Sequence, residues 1–432
     1  MSRFTIIFDA LVRGGDAVIG RRRSWLGLAG LAAACLFVQP AMATIVGTCK
    51  AGVQFPTIQL AVNAAPAGGT VSICPGTYPE QVLITKHLSL VGLTIGASDQ
   101  VVIAAPSGGI VQNATDLYPG AEPIAAQIFI NNAGIVNLTN LIVDGSNSQI
   151  DCGPNLVGIY YQNSSGTVNH VVARNQALAP NNGCQSGQAI FVESGYSIPG
   201  SSNVTIENSS VHGYQKNGIT ADGNGTTFTI SNNDVVGQGP TTGAAENGIQ
   251  LSDQATGTVY NNRVVDDVYS PGSYGASGIL VYDTGNIIIE SNTVSNTQYG
   301  IVVYTDGTYD ANDNTITSNR VSATHLDDGI DLCSDGNTVK SNIVMASDAS
   351  GIHIDSSCTD AEGNTTGTGN TVSGNTIVEA CAGVLLGNGP TGQDGTNAAY
   401  DVFDTTYAGD SCPAGSGSAA KRATKLVVQR MR

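Results

Sequence analysis

Short segments in which β-branched and polar residues alternate recur from about residue 80 to about residue 390. An alternation with a period of two is typical of β-strands that bury one face. Clear examples are residues 228–235, 259–264, 289–294 and 339–344. Glycine, asparagine, aspartate and serine separate the segments, and these residue types form tight turns. No helical periodicity interrupts the stretch, so the pattern predicts an all-β fold.

A recurring phrase, Gly-Ile or a close variant, opens one strand in each unit. Neighbouring copies are 22 to 32 residues apart. Periods of this length indicate stacked units that bury one continuous core. We therefore predict a single-domain right-handed parallel β-helix with equivalent residues of successive turns about 4.8 Å apart. The phrase begins at Gly158, Ala189, Gly218, Gly248, Gly278, Gly300, Gly329, Gly351 and Gly383.

An asparagine two residues before the last hydrophobic residue of many units occupies an equivalent position in each of them. Stacked amide side chains can form hydrogen bonds along the axis of a β-helix. We therefore expect a ladder at a sharp bend rather than a set of sugar ligands. Its members would be Asn233, Asn262, Asn292, Asn319, Asn342 and Asn375.

Residues 1–43 have the features of a secretory signal peptide. Three arginines, Arg21 to Arg23, precede an apolar run at 25–38 that is too short to span a membrane. Ala41-Met42-Ala43 provides a cleavage site of the A-x-A kind. Lipoprotein processing at Ala34-Cys35 is the alternative. The pattern predicts a secreted or periplasmic protein without a membrane span.

The mature chain begins with a segment that predicts a cap. A helical stripe over residues 56–65 ends before Gly68-Gly69. A helix over the open end of a strand coil blocks pairing with other chains. We expect an N-terminal cap with the first strands at 44–80 and β-helix repeats at 81–390. A C-terminal cap with a disordered basic tail would then occupy 391–432.

Composition adds two constraints. The net charge is −17, and between the signal and the last twelve residues 7 basic residues stand against 32 acidic ones. A nucleic-acid partner is not expected, because phosphate contacts need clustered lysine and arginine. Highly anionic glycans are also disfavoured, because like charges repel, unless calcium bridges the glycan and the protein.

The cysteine pattern agrees with export. Eight of the nine cysteines remain after the signal is removed, and an even number in an exported chain indicates disulfides. No C-x-x-C pair supports the alternative of a metal site. The separations of neighbouring cysteines match the repeat length, which favours neighbour pairing. The expected pairs are Cys49–Cys74, Cys152–Cys184, Cys333–Cys358 and Cys381–Cys412.

Two parts of the chain resemble known proteins. Residues 158–390 are similar to the repeats of NosD-type periplasmic proteins and of the pectate-lyase-like superfamily. The beginning of the mature chain resembles the opening rungs of pectin methylesterases and other right-handed parallel β-helix proteins. The resemblance implies the fold and leaves the activity open, because one fold hosts many chemistries. The matching residues at the beginning are Ile58, Gln59, Ala61, Val62, Ala65, Pro66, Pro75, Gly76, Thr77, Tyr78, Glu80, Ile84, Leu90, Val91 and Gly92.

Catalytic motifs of the enzymes with this fold are largely missing. Three scattered arginines, Arg174, Arg263 and Arg320, do not support a pectate lyase. The segment 326–331 resembles the Asn-Thr-Asp-Gly-Ile-Asp phrase of polygalacturonases, which implies an acid/base role for Asp328. The next rung lacks the paired aspartates of that family, and glycoside hydrolysis needs two carboxylates at a controlled separation.

Stacking predicts a site independently of these motifs. In each Gly-Ile strand, the residue after isoleucine and the one two further along point away from the core. Tyr282 and Tyr304 then become neighbours, and Asp331, His353 and Asp355 cluster nearby. The first outward column is Tyr160, Phe191, Thr220, Gln250, Leu280, Val302, Asp331, His353 and Leu385. The second outward column is Gln162, Glu193, Asp222, Ser252, Tyr282, Tyr304, Cys333, Asp355 and Gly387.

Aromatic rings beside carboxylates suit a glycan groove that combines stacking with acid/base chemistry. The candidate catalytic residues are Asp328, Asp331, His353 and Asp355. The candidate substrate-binding residues are Tyr282, Tyr304, Glu193 and Asp222. Outward aspartates of an acidic repeat protein are otherwise solvated turn residues, and His353 alone would be a surface histidine.

The sequence therefore predicts a monomeric, exported β-helix that binds or acts on a polysaccharide as a hydrolase, lyase or epimerase. A non-catalytic structural, adhesive or glycan-binding β-helix and a NosD-like periplasmic accessory protein are the alternatives. No cofactor is expected, although calcium at Asp327, Asp328 and Asp331 or at Asp266-Asp267 is left open. The scattered histidines and the scarcity of methionine do not favour copper.

Overall fold

A computed structural model describes residues 43–97, 99–178, 183–196, 198–270, 274–386, 398–400 and 403–404. The expected signal peptide, apart from Ala43, and most of the expected C-terminal segment at 391–432 lie outside the described residues.

The N-terminal end of the described chain contains one helix and eight short strands. The helix, α1, spans Ile58–Ala64. The strands are β1 (Thr44–Val46), β2 (Val53–Phe55), β3 (Gly69–Ile73), β4 (Gly76–Pro79), β5 (Val82–Ile84), β6 (Leu88–Gly92), β7 (Val101–Ala104) and β8 (Ala114–Thr115).

In the rest of the described chain, the regular secondary structure consists of strands. The middle part contains β9 (Pro123–Thr139), β10 (Ile142–Asp144), β11 (Asn155–Asn169), β12 (Val172–Arg174), β13 (Gln188–Glu193), β14 (Ser202–Glu207), β15 (Ser210–His212), β16 (Asn217–Asp222), β17 (Thr226–Ser231), β18 (Asp234–Thr241), β19 (Asn247–Ser252), β20 (Thr256–Tyr260) and β21 (Arg263–Tyr269). The last part contains β22 (Ser277–Tyr282), β23 (Ile288–Glu290), β24 (Thr293–Thr297), β25 (Tyr299–Tyr304), β26 (Thr315–Thr317), β27 (Arg320–Thr324), β28 (Ile330–Cys333), β29 (Thr338–Lys340), β30 (Ile343–Ile354), β31 (Thr371–Ser373), β32 (Thr376–Leu386), β33 (Ala398–Tyr400) and β34 (Phe403–Asp404).

The strands pair in parallel between successive turns and form three sheets, so the predicted parallel β-helix is confirmed. Sheet A contains the Gly-Ile strands and runs through β5, β9, β11, β13, β16, β19, β22, β25, β28, β30 and β32. Sheet B includes β14, β17, β20, β23, β26 and β29. Sheet C includes β12, β15, β18, β21, β24 and β27.

The core lies between the three sheets. In sheet A, the isoleucine of each Gly-Ile phrase pairs with the isoleucine of the next turn, for example Ile279 with Ile301 and Ile301 with Ile330. All three are fully buried. Stacked apolar columns of this kind explain why a single turn cannot be stable alone whereas the array can.

The predicted asparagine ladder is present at the bend between sheets B and C. Asn262 Nδ2 donates to Asn292 Oδ1 at 3.0 Å, and Asn292 Nδ2 donates to Asn319 Oδ1 at 3.0 Å. The same bond recurs at 3.0 Å from Asn233 to Asn262, from Asn319 to Asn342 and from Asn342 to Asn375. Each of these asparagines is buried, which confirms their structural role.

The predicted N-terminal helix is also confirmed. Thr57 caps α1 and its hydroxyl accepts a hydrogen bond from Leu60 N at 3.2 Å. The carboxylate of Glu80 accepts hydrogen bonds from Ile58 N at 2.8 Å and from Gln59 N at 3.0 Å. These acceptors satisfy backbone donors that the first turn of a helix leaves open.

Three of the four predicted disulfides are present, namely Cys49–Cys74, Cys152–Cys184 and Cys333–Cys358. The predicted pair Cys381–Cys412 lies outside the described side chains. Each observed bridge joins a residue to a partner 25 or 32 positions later, close to one turn of the β-helix.

Candidate functional site

The first outward column of sheet A has the predicted register, and the second has it as far as Cys333. Asp331 pairs with His353, Tyr282 pairs with Tyr304, and Glu193 pairs with Asp222. Parts of the outward face are nevertheless covered and do not form an open groove. Leu280 and Tyr282 are only 1% and 2% exposed.

The segment that contains β8 covers one end of this face. Its Thr115 carbonyl accepts a hydrogen bond from Gln162 Nε2 at 2.7 Å. Leu117 N donates to Glu193 Oε1 at 2.8 Å. Because β8 pairs antiparallel with the start of β9, outside the repeat, its position could not be deduced from the period.

Aromatic rings stack along the outward face in two places. Phe129, Tyr160 and Phe191 have successive ring centroids 5.3 Å and 4.9 Å apart. Further along the axis, the rings of Tyr282 and Tyr304 lie 5.9 Å apart and 10° from parallel. Tyr282 is buried, whereas Tyr304 is half-buried.

A small cleft opens on the outward face of β13, β16, β19 and β22. The volume of the cleft is about 40 Å³. Two of the predicted binding residues, Asp222 and Tyr282, line it, and Glu193 lies next to Asp222 in the same column. The lining residues are Asp116, Tyr118, Gln188, Phe191, Asn217, Thr220, Asp222, Gln250, Ser252, Asp253 and Tyr282.

Carboxyl groups converge at this cleft from different parts of the chain. Ser252 Oγ donates to Asp222 Oδ1 at 2.9 Å, and Tyr196 OH donates to Asp253 Oδ2 at 2.9 Å. The hydroxyl of Tyr160 donates to Glu193. Asp116 reaches the cleft from the covering segment.

Burial raises the pKa values of several of these carboxyl groups. It raises the pKa of Asp116 to about 7, and it raises the pKa of Asp253 to about 9, with the charge of Asp222 as the second cause. Burial likewise raises the pKa of Glu193 well above its ordinary value, and the charge of Asp222 adds to the effect. Like charges in a desolvated site favour the neutral form, so the cleft holds proton donors at neutral pH.

A related pair lies beside Tyr282. Its hydroxyl donates to Asp306, and Asp306 N donates to Asp283 Oδ1 at 3.0 Å. Burial raises the pKa of Asp283 to about 8. Burial also acts to raise the pKa of Asp306, but the hydrogen bonds it accepts, above all from Tyr282, hold it below the ordinary value. One carboxyl is therefore neutral and its neighbour ionised.

Of the predicted cluster of Asp331, His353 and Asp355, the first two lie on adjacent strands, and Asp328 lies beside His353. His353 Nδ1 lies 3.3 Å from Asp328 Oδ2 and 3.5 Å from Asp331 Oδ1. Burial acts to lower the pKa of His353, but the hydrogen bond and charge of Asp328 and the charge of Asp331 together raise it to about 10. Burial raises the pKa of Asp331 well above its ordinary value, with the charge of His353 opposing the shift.

One expectation for this cluster needs correction. His353 is not a surface histidine, because it is only 9% exposed. Asp355 is less buried than the other three residues, and its carboxylate accepts hydrogen bonds from Ser357 N at 2.7 Å and Ser357 Oγ at 2.8 Å. These two bonds hold its carboxylate against Ser357.

Two of the candidate calcium ligands, Asp327 and Asp267, accept hydrogen bonds from other side chains. Asp327 Oδ2 accepts a hydrogen bond from Gln298 Nε2 at 3.0 Å. Asp267 is fully buried and accepts one from Tyr214 OH at 2.6 Å. Among the described residues, a metal-compatible group is formed by Asp328, Asp331 and His353.

The sequence matches two family models. Residues 126–316 match the model described as a right-handed β-helix region, and residues 271–394 match the model of the periplasmic copper-binding protein NosD. No curated protein gives a significant match. The chain is therefore a right-handed parallel β-helix repeat protein.

Solved structures agree with this fold. The A-module of the mannuronan C-5 epimerase AlgE4 from Azotobacter vinelandii is 16% identical, with 81% of this chain and 92% of that chain covered and a TM-score of 0.52. The periplasmic alginate epimerase AlgG is 14% identical, with 81% and 83% covered and a TM-score of 0.46. The GH136 lacto-N-biosidase from Eubacterium ramulus is 10% identical, with 80% and 64% covered and a TM-score of 0.46. At 16% identity, the likeness to the AlgE4 A-module shows the fold alone.

The donor atoms of the described residues do not suit Cu⁺. Soft sulfur ligands select that ion, but the described cysteines named above are joined in disulfides. Met345 is the single methionine within the described ranges. In the same ranges, no helix is long and apolar enough to cross a membrane.

Proposed function

We propose that this chain is an exported protein that binds a polysaccharide along the outward face of sheet A and transfers protons to it in the cleft. The observation that carries the proposal is the convergence of Asp116, Asp222 and Asp253 with Tyr118 and Tyr282 in one cleft. Carboxyl groups with strongly shifted pKa values in a concave site are typical of acid/base chemistry.

Asp253 is the proposed proton donor. With a pKa of about 9 it carries its proton at neutral pH, and its bond from Tyr196 fixes its orientation. Asp222 is its proposed partner, because each of the two carboxyl groups influences the titration of the other. A protonated carboxyl beside a second carboxyl can serve as an acid/base pair, because each shifts the pKa of the other. Lyase and epimerase reactions begin instead with removal of a proton from the sugar, and in them the ionised partner would act as the base.

A neutral or weakly charged glycan is the proposed ligand. The body of the chain is strongly acidic, so a polyanion would be repelled. Protonated carboxyl groups donate hydrogen bonds to sugar hydroxyls without that repulsion. The half-buried ring of Tyr304 continues the binding face beyond the cleft.

Further along the same face, Asp328, Asp331, His353 and Asp355 remain proposed as a second acid/base group. Asp331 lies two strands beyond Tyr282, which corresponds to about 10 Å along the axis. An extended sugar chain that enters the cleft would reach this group without leaving the face.

The proposal is tested with a screen of neutral and acidic glycans, in which binding and product formation are measured separately. Asp253→Asn and Asp222→Asn should lower turnover by at least about 100-fold and change binding much less. Glu290→Gln is the matched control, because Glu290 is exposed on sheet B. Asp331→Asn and Asp355→Asn test the second group in the same assays.

The outcomes separate the candidate functions. If the wild type binds a glycan but releases no product, the protein is a non-catalytic binding β-helix. If both cleft variants equal the wild type on every glycan it recognises, the cleft is not the site. Recognition of no glycan by the wild type would remove the proposal and leave an accessory role, which the NosD match favours.

A further inference from the structure

Three ligand atoms converge where β28 and β30 lie side by side in sheet A. They belong to Asp328, Asp331 and His353, and they all lie within 4.8 Å of one another. The pairing of Asp331 with His353 places two of the side chains at the same position of adjacent strands. All three residues are more than nine-tenths buried.

We propose that Asp328, Asp331 and His353 bind a divalent first-row metal ion, for which Zn²⁺ is the best probe. Zinc bonds to carboxylate oxygen and imidazole nitrogen measure about 2.0–2.2 Å, so two ligand atoms of a tetrahedral site lie about 3.3–3.6 Å apart. The measured separations of 3.3 Å and 3.5 Å from His353 Nδ1 match this spacing. The inference concerns residues of the proposed second acid/base group, but it does not depend on the binding of a glycan.

A second observation points to a cation at this place. Asp331 Oδ1 is fully buried and has no hydrogen-bond partner, and it faces His353 Nδ1 at 3.5 Å. A buried carboxylate oxygen without a partner is costly, and a bound cation would remove that cost. The carboxylate of Asp331 is thus positioned for a ligand that the protein itself does not supply.

The surroundings hold the ligands in place. Asp328 Oδ1 accepts a hydrogen bond from Ser350 N at 2.6 Å, which leaves Oδ2 directed at His353. Hydrogen bonds of this kind orient metal-binding carboxylates. Two carboxylates and one imidazole suit a divalent ion and not Cu⁺. Three protein ligands also leave one tetrahedral position open for water or a substrate atom, as in catalytic zinc sites.

A proton on His353 shared between the two carboxylates is the competing arrangement. It would satisfy the same three atoms and would give no metal affinity at this site. The two arrangements are distinguished by titrating the untagged, chelator-treated mature protein with Zn²⁺ in a calorimeter and measuring the bound zinc by elemental analysis.

One equivalent of Zn²⁺ should bind with micromolar or tighter affinity and raise the thermal midpoint, because a ligand of the folded state stabilises it. His353→Gln and Asp331→Asn should each weaken binding at least about tenfold. His212→Gln, which alters a histidine of sheet C, should bind as the wild type does. Cu⁺ should bind weakly in all four proteins.

X-ray absorption of the zinc-loaded wild type provides a measurement that does not depend on variants that fold. It should show only oxygen and nitrogen ligands, including one imidazole. Absence of stoichiometric zinc, sulfur in the first shell, or wild-type affinity in both folded ligand variants would each overturn the proposal.

Discussion

Tyr282 and Tyr304 stack on the outward face of sheet A, with ring centroids 5.9 Å apart and planes 10° from parallel. They occupy the same position of adjacent strands, 22 residues apart in sequence. Tyr282 is held by its bond to Asp306, whereas Tyr304 is half-buried and offers part of its ring to a ligand. Tyr282 lines the cleft, and Tyr304 lies next to it on the following strand of the outward face.

Replacing Tyr304 with alanine should weaken the binding of a recognised glycan about tenfold, because the stacking surface is lost. Tyr304→Phe should keep most of the affinity, since it retains the ring. Isothermal titration of the two variants measures the difference. Tyr260→Ala is the control, because Tyr260 is 38% exposed but lies on sheet B. Equal affinity of Tyr304→Ala and the wild type would exclude Tyr304 from the binding face.

The register of this face could be predicted because the β-helix repeats its turn. Because each strand begins with the Gly-Ile phrase, the spacing from that phrase predicts the pairs Tyr282–Tyr304 and Asp331–His353. The asparagine ladder followed for the same reason. Each of these contacts depends only on the position of a residue within its turn.

The cover of the face could not be predicted in this way. Asp116 and Tyr196 lie in segments outside the repeat, so no period places them beside Asp222 and Asp253. The sequence indicates the positions of Asp253 and Asp283 more weakly than those of the column residues. Each directly follows a residue of the second outward column. Loops bury that column, so these aspartates are not solvated, and their pKa values are raised.

The stability of the protein should fall as pH rises from 5 to 8. Asp116, Asp283 and Asp253 have folded-state pKa values of about 7, 8 and 9, above the ordinary value of 3.8. Between these limits the folded state binds more protons than the unfolded state, so the slope of unfolding free energy against pH is negative. Their contribution is complete below pH 3.8 and is lost as pH passes each raised value. Thermal midpoints across this range measure the effect.

Asp253→Asn should flatten this dependence, because asparagine resembles the protonated carboxyl and can accept the bond from Tyr196. The variant should therefore equal the wild type near pH 3.8, and the excess of its thermal midpoint over that of the wild type should grow from pH 5 to 8. Glu290→Gln serves as the exposed control and should follow the wild-type curve. A wild-type midpoint that rises steadily from pH 5 to 8 would contradict the assigned protonation states.

The asparagine ladder allows a test of what holds the turns together. Asn292 donates to Val259 O at 2.9 Å and to Asn319 Oδ1 at 3.0 Å, and its own Oδ1 accepts from Asn262 N at 2.9 Å. Asn292→Ala removes these bonds and leaves buried polar groups on both neighbouring turns without partners. Each such group costs about 1–3 kcal/mol, so the free energy of unfolding should fall by about 3 kcal/mol.

Denaturant unfolding followed by circular dichroism measures this loss, with Asn203→Ala as the matched control. Asn203 is exposed on sheet B, so its replacement should change the unfolding free energy by less than about 0.5 kcal/mol. Asn292→Asp should also be destabilising, because a carboxylate cannot donate to Val259 and a buried charge would face Asn319 Oδ1. If Asn292→Ala is as mild as the control, backbone pairing and the apolar columns suffice to hold the bend, and the ladder contributes little to stability.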